Sequence, residues 1–69
     1  MRYDTIDNDG KISLRHGGKL LHLGIGRAHA RTEIICLIHN LDATVLTHDG
    51  LVLAEFTLNP DRDYQPKNG

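Results

Sequence analysis

The chain has 69 residues, of which 39 % are hydrophobic and 4 % aromatic, with no Trp, one Cys and a formal charge of −1. A domain of this size buries only about 60 % of the surface its unfolded chain exposes, so a thin core of Leu, Ile, Val and a single Phe is expected and a deep catalytic cleft is not. The lone Cys36 excludes an internal disulfide and a cysteine-based zinc site, and no apolar run approaches the roughly 20 residues that cross a bilayer.

In chain order, RYDTID supplies a sixth strand if it pairs. Asn8-Asp9-Gly10 marks a turn, and KISLR then alternates Ile12 and Leu14 on one face with Lys11, Ser13 and Arg15 on the other, the period of two of a half-buried strand. After the turn at His16-Gly17-Gly18, KLLHLGIG points Leu21, Leu23 and Ile25 one way and Leu20, His22 and Gly24 the other. RAHART has room for one helical turn. EIICLIH is apolar on both parities, which marks a central strand covered on each side. Asn40-Leu41-Asp42 and His48-Asp49-Gly50 bracket ATVLTH, and Asp-Gly is a strong hairpin signal. LVLAEFTL places Val52, Ala54, Phe56 and Leu58 inward.

These elements predict an all-β fold, a small antiparallel barrel of five or six short strands over residues 1–58, closed because closure removes exposed edges. Residues 59–69, NPDRDYQPKNG, contain both prolines and no apolar period, and a partly ordered tail is expected. The start, MRYDTID, has no signal-peptide pattern. A soluble, cytoplasmic domain that engages no membrane is expected.

Charge is unevenly distributed. Residues 1–31 hold six Lys/Arg against three Asp, whereas residues 32–69 hold two against six acids. Between Asp9 and Glu33 there is no acid, while Lys11, Arg15, Lys19, Arg27 and Arg31 accumulate with His16, His22 and His29. With Lys11, Arg15, Lys19 and His22 read as solvent-facing, these cations could converge into one face that attracts phosphate backbones by releasing counterions. From charge alone a second reading stands beside it: a hydrated strand face simply carries Lys and Arg.

Sharper motifs fail on inspection. Gly24-Ile25-Gly26 begins a dinucleotide fingerprint but lacks its third glycine and is followed by a strand. The five histidines are not paired at the short spacings that share one coordination sphere, so no metal site and no cofactor are expected. Among nucleophile candidates Cys36, Ser13 and Thr32, Cys36 lies in the most apolar strand, where burial makes a thiol inert. Asp61 and Asp63 flank Arg62 in a proline-bounded segment and read as a local charge network. The glycines of the HLGIGRAHAR stretch read as a bend or bulge.

LLHLGIGRAHART, then HNLDATVL, then AEFTLNPDRDYQP resemble the C-terminal segment of bacterial insertion-sequence transposases of the DDE class, whose catalytic core is related to retroviral integrase. The likeness runs from about Tyr3 to Pro66 and rests on the G-x-G-R-A-H block, the L-D-x-x-V-L hairpin and the closing T-L-x-P-x-R-D-Y-Q-P. It implies an SH3-like barrel appended to an RNase H-like core, assisting transposon-end or target DNA binding and synaptic assembly during recombination. The matched positions are Gly24, Gly26, Arg27, His29, Leu41, Asp42, Arg62, Asp63 and Tyr64. Family copies often carry an aromatic near the position of His16; its absence here weakens a base-stacking reading.

The resemblance and the charge pattern together lead to the expectation of a non-catalytic accessory domain whose parent enzyme keeps its metal-binding carboxylates in a separate core. Arg15, Lys19, Arg27 and Arg31 are the first candidates for phosphate contacts, with Lys11, His22 and His29 as secondary members. For Arg27 and His29 a structural role also stands, in which the side chains bond free carbonyls of the bend. The rival function is a protein-interaction module that docks on the catalytic core or a second protomer. Only Tyr3, Phe56 and Tyr64 are aromatic, too few for a polyproline groove.

Overall fold

The computed structural model describes residues 1–68 and is built from seven short strands. They are β1 (Arg2–Thr5), β2 (Lys11–His16), β3 (Lys19–Gly24), β4 (Glu33–His39), β5 (Asp42–Thr47), β6 (Val52–Thr57) and β7 (Tyr64–Pro66), with one 3₁₀ turn at Arg27–His29. Two sheets form: a four-stranded one in the order β1-β4-β5-β6, and a three-stranded one in the order β2-β3-β7. All pairings are antiparallel except β3 with β7, which is parallel.

Period-two patterning accounts for most of this. Ile12 pairs with Leu23 and Leu14 with Leu21 across the β2–β3 hairpin, and all four side chains are buried. Ile34, Cys36, Ala43, Val45, Ala54 and Phe56 supply the inward face of the larger sheet, and one apolar cluster joins the two sheets. The β2–β3 hairpin closes through Gly17 and Gly18, with φ of 60° and 80°. Two successive positive φ values are what a type I′ turn requires, and its twist matches that of the strands.

The structure corrects the expectation in four places. The barrel is not closed: the joins between the sheets are isolated hydrogen bonds, such as Asn68 N–H, just past β7, to the Glu55 carbonyl of β6 at 2.7 Å and Asp7 N–H, just past β1, to the Lys11 carbonyl of β2 at 2.9 Å, in place of ladders. Strands number seven because β1 pairs with β4 and because β7 forms within the segment read as a tail. Val52 is exposed because a β-bulge shifts the register: Val45 faces Ala54 but Leu46 faces Val52, leaving Leu53 unpaired and turned partly onto the core. β4 is interior in its sheet yet covered on one face only, since Leu37 stays 43 % exposed and Ile35 half-buried.

Gly10 fixes how the loop before β2 meets the end of β3. Its carbonyl accepts the N–H groups of Ile25 and Gly26, at 2.8 and 2.9 Å. Its φ is +81°, and a Cβ there would run into the Gly26 backbone. Gly17 also has a left-handed φ, but open space lies beside it. Gly17→Ala is therefore expected to cost about 1 kcal/mol of left-handed strain, and Gly10→Ala about 1–3 kcal/mol more for the forced overlap. Urea unfolding of both variants measures the difference; equal losses would mean that the close approach at Gly10 contributes nothing.

Candidate functional site

Strand parity and register build a polar surface on the outside of the three-stranded sheet. Lys11, Ser13 and Arg15 point away from the core on β2, and their partners are Gly24, His22 and Leu20 of β3. The third column is β7, where Tyr64 lies beside His22 and Pro66 beside Gly24. Ser13 and His22 are joined across the strands, Oγ to Nδ1 at 3.2 Å. Lys11 and Arg15, four residues apart on one strand, are separated by roughly 13 Å along the backbone.

One end of this surface is concave. A groove of about 400 Å³ is lined by Gly10, Gly24 and Gly26 together with Asp9, Lys11, Arg27 and Tyr64. The Tyr64 phenol leans over Gly24: a Cβ on that glycine would meet the phenol oxygen and stand 2.7 and 3.0 Å from Cζ and Cε1. Only a glycine admits the ring there. Tyr64 keeps 48 % of its surface exposed. Arg27 projects from the 3₁₀ turn, which closes through its own backbone: His29 N–H donates to Gly26 O, Ala30 N–H to Arg27 O and Thr32 N–H to His29 O, each at 3.1 Å. The carbonyls of Gly26, Arg27 and His29 are thus already satisfied by backbone, with no bond from the Arg27 or His29 side chain.

The remaining candidates fall elsewhere. Lys19 shares the inward parity of Leu21 and Leu23 and pairs with His16 at the hairpin end. Its Nζ donates to the Pro60 carbonyl at 2.9 Å and lies 3.7 Å from an Asp63 carboxylate oxygen. It is a strap onto the 59–63 loop, not a member of the outer face. Arg31, held at φ 68°, donates through Nε to the Asn8 side chain at 3.0 Å. His29 is half-buried, with its ring 4.0 Å from where a Gly26 Cβ would stand. Leu41 and Asp42 lie at the β4–β5 turn, where Asp42 pairs with His39.

Two residues of the surface escaped sequence reasoning. Tyr64 was a motif position without a role; its place beside Gly24 depends on a parallel pairing that no local pattern announces. Lys67 reaches back to the Ile25 carbonyl at 3.2 Å. Among the described residues, no group of three or more His, Cys, Asp or Glu side chains converges as metal ligands. Cys36 is buried, and burial pushes its thiol above the ordinary value, with Asp4 adding and Arg2 opposing. A protonated, enclosed thiol is a poor nucleophile. No helix among the described residues is long and apolar enough to cross a membrane.

What holds β7 in place is a buried amide. Gln65 is 2 % exposed; Asn59 N–H donates to its Oε1 at 2.7 Å, and its Nε2 donates to the carbonyls of Asn59 and Arg62 at 2.8 and 2.6 Å. The closing motif from Thr57 to Pro66 is therefore a clamp that turns the chain and presents Tyr64. No family model, curated protein or solved structure matches this chain. Gln65→Leu strands one amide donor and two acceptors inside the fold and is expected to cost about 1–3 kcal/mol. A lowered urea midpoint, with loss of the nuclear Overhauser contact between the Tyr64 ring and the Gly24 α-protons, is the expected result.

Proposed function

We propose that this chain is a non-catalytic accessory domain that binds DNA by its phosphates through the outer face of β2, β3 and β7. The observation that carries the reading is the separation of charge between the sheets. Lys11 and Arg15 stand on that face, with Arg27 at its concave end, and Asp9 is the one acid lining the groove. Glu33, Asp42 and Glu55 lie on the outside of the other sheet. A patch of three cations neutralises few phosphates, so the contact positions DNA without reading its sequence.

The likeness of the G-x-G-R-A-H, L-D-x-x-V-L and closing motifs to DDE-class transposases supports a cytoplasmic role in DNA recombination, at the transposon end or the target. In that setting the chemistry of strand transfer belongs to a separate RNase H-like core with its own carboxylates and metal ions. The domain itself supplies grip. A second reading, assembly with the catalytic core or a second transposase protomer, has one observation in its favour: Tyr3, Ile35, Leu46 and Val52 form a partly exposed apolar row across the outside of the four-stranded sheet. The two readings use opposite faces.

Three phosphate contacts give an expected slope of about −3 in a plot of log affinity against log salt, with dissociation constants of the order of micromolar or weaker. Lys11→Ala with Arg15→Ala should flatten the slope by about 2 for any duplex sequence. Asp49→Ala with Glu55→Ala should leave it unchanged. Amide shifts during a DNA titration are expected at Lys11–Arg15, Gly24, Arg27 and Tyr64. Shifts centred on Ile35, Leu46 and Glu55, or none at low salt, would overturn the DNA reading.

A further inference from the structure

We propose that the groove beside Tyr64 takes one unpaired nucleotide, so that the domain prefers single-stranded DNA, or a frayed end, over an intact duplex. The inference rests on the nucleic-acid reading above and specifies its substrate. A duplex offers this surface only phosphates and the edges of stacked bases, since its base faces are occupied by neighbouring pairs. An unpaired base offers a face as well, and stacking on an aromatic ring is the main sequence-tolerant source of affinity for single strands.

Three features of the groove fit that ligand. The Tyr64 ring is seated on Gly24 and half-exposed, which presents a flat aromatic platform whose position is set by the strand beneath it. Beside the platform stand Lys11 and Arg27, two cations able to hold the phosphate of the same nucleotide. The rest of the lining includes Gly10, Gly24 and Gly26, which carry no side chains to narrow the groove. The volume of about 400 Å³ lies at the low end of small-molecule pockets, which run from roughly 300 to 1,000 Å³. It has room for one nucleotide.

Asp9 sharpens the chemistry. A carboxylate at the rim repels a second phosphate and accepts hydrogen bonds from an exocyclic amino group. Adenine, cytosine and guanine carry such a group; thymine does not. The groove is therefore matched to a base that brings an amino group, stacked on Tyr64, with its phosphate on the cationic side.

The test compares a short oligodeoxyadenylate with the same strand annealed to its complement, both end-labelled, by fluorescence anisotropy against the full chain at low salt. The single strand is expected to bind about tenfold more tightly, the scale that one stacked base contributes. Tyr64→Phe should keep the preference. Tyr64→Leu should abolish it, so that strand and duplex bind this variant equally, and Asp9→Ala should narrow the difference between oligodeoxyadenylate and oligothymidylate. A measurement that needs no change at the site uses Tyr3→Phe: with no Trp in the chain, Tyr64 is then the sole tyrosine, and the single strand should quench its emission while the duplex does not. Deoxyadenosine monophosphate alone should bind far more weakly than the strand. Equal affinity for strand and duplex, equal quenching by both, or a mononucleotide as tight as the strand would overturn the inference. Duplex binding that persists in any of these cases keeps the broader reading intact, whereas failure of both probes to bind removes that reading as well.

Discussion

The amide of Gln65 is the interaction on which the rest of the surface depends. Three hydrogen bonds from one buried side chain tie the ends of the 59–62 turn together, and the alternation of a strand then forces Tyr64 and Pro66 outward. An apolar residue at this position would fill the space but leave the turn's polar groups unpaired. Such groups, enclosed away from water, are costly. The place of Tyr64 in the column beside His22 is thus set by a residue on the other side of the sheet.

Electrostatics and shape divide the molecule in two. One sheet turns Lys and Arg outward and ends in a concave, glycine-walled groove. The other turns Glu33, Asp42 and Glu55 outward around an apolar row. Near-neutral net charge conceals this, because the average over the whole chain cancels fields that act on opposite sides. Screening beyond about 8–10 Å at physiological ionic strength keeps each side's field local. A polyanion approaching from the basic side is little affected by the acids behind the core.

Most of the strands were legible because β2 and β3 alternate apolar and polar residues with period two, β4 is a bounded apolar run, and glycine- or asparagine-bearing turns mark the hairpins. β7 was not, for it has three residues, two of its side chains face out and the one that faces in is a glutamine. Its partner is far away in the chain, so nothing local marks it. The bulge at Leu53 was equally silent: the run from Leu51 to Leu58 reads as one unbroken strand, and the extra residue emerges only when β5 is laid beside it. Within the site, Lys19 was misplaced for the opposite reason. Its parity with Leu21 and Leu23 already set it on the inner face, but its charge suggested solvent; at the hairpin end an inward residue can slip past the sheet edge and remain half-exposed. Lys11, Arg15 and His22 face outward on β2 and β3, where parity and charge agree.

The parallel pairing of β3 with β7 has a consequence for the order of folding. The β2–β3, β4–β5 and β5–β6 hairpins join neighbours in sequence, and such hairpins close in about 1–10 μs. β7 must return from the far end of the chain, and Lys67 reaches Ile25 across 42 positions; such long-range contacts are slow because the loop must be closed before any bond rewards it. On this logic β7 docks last. A chain caught earlier would show three competent hairpins and a bare Gly24, and the platform beside it would come into being only at the final step of maturation.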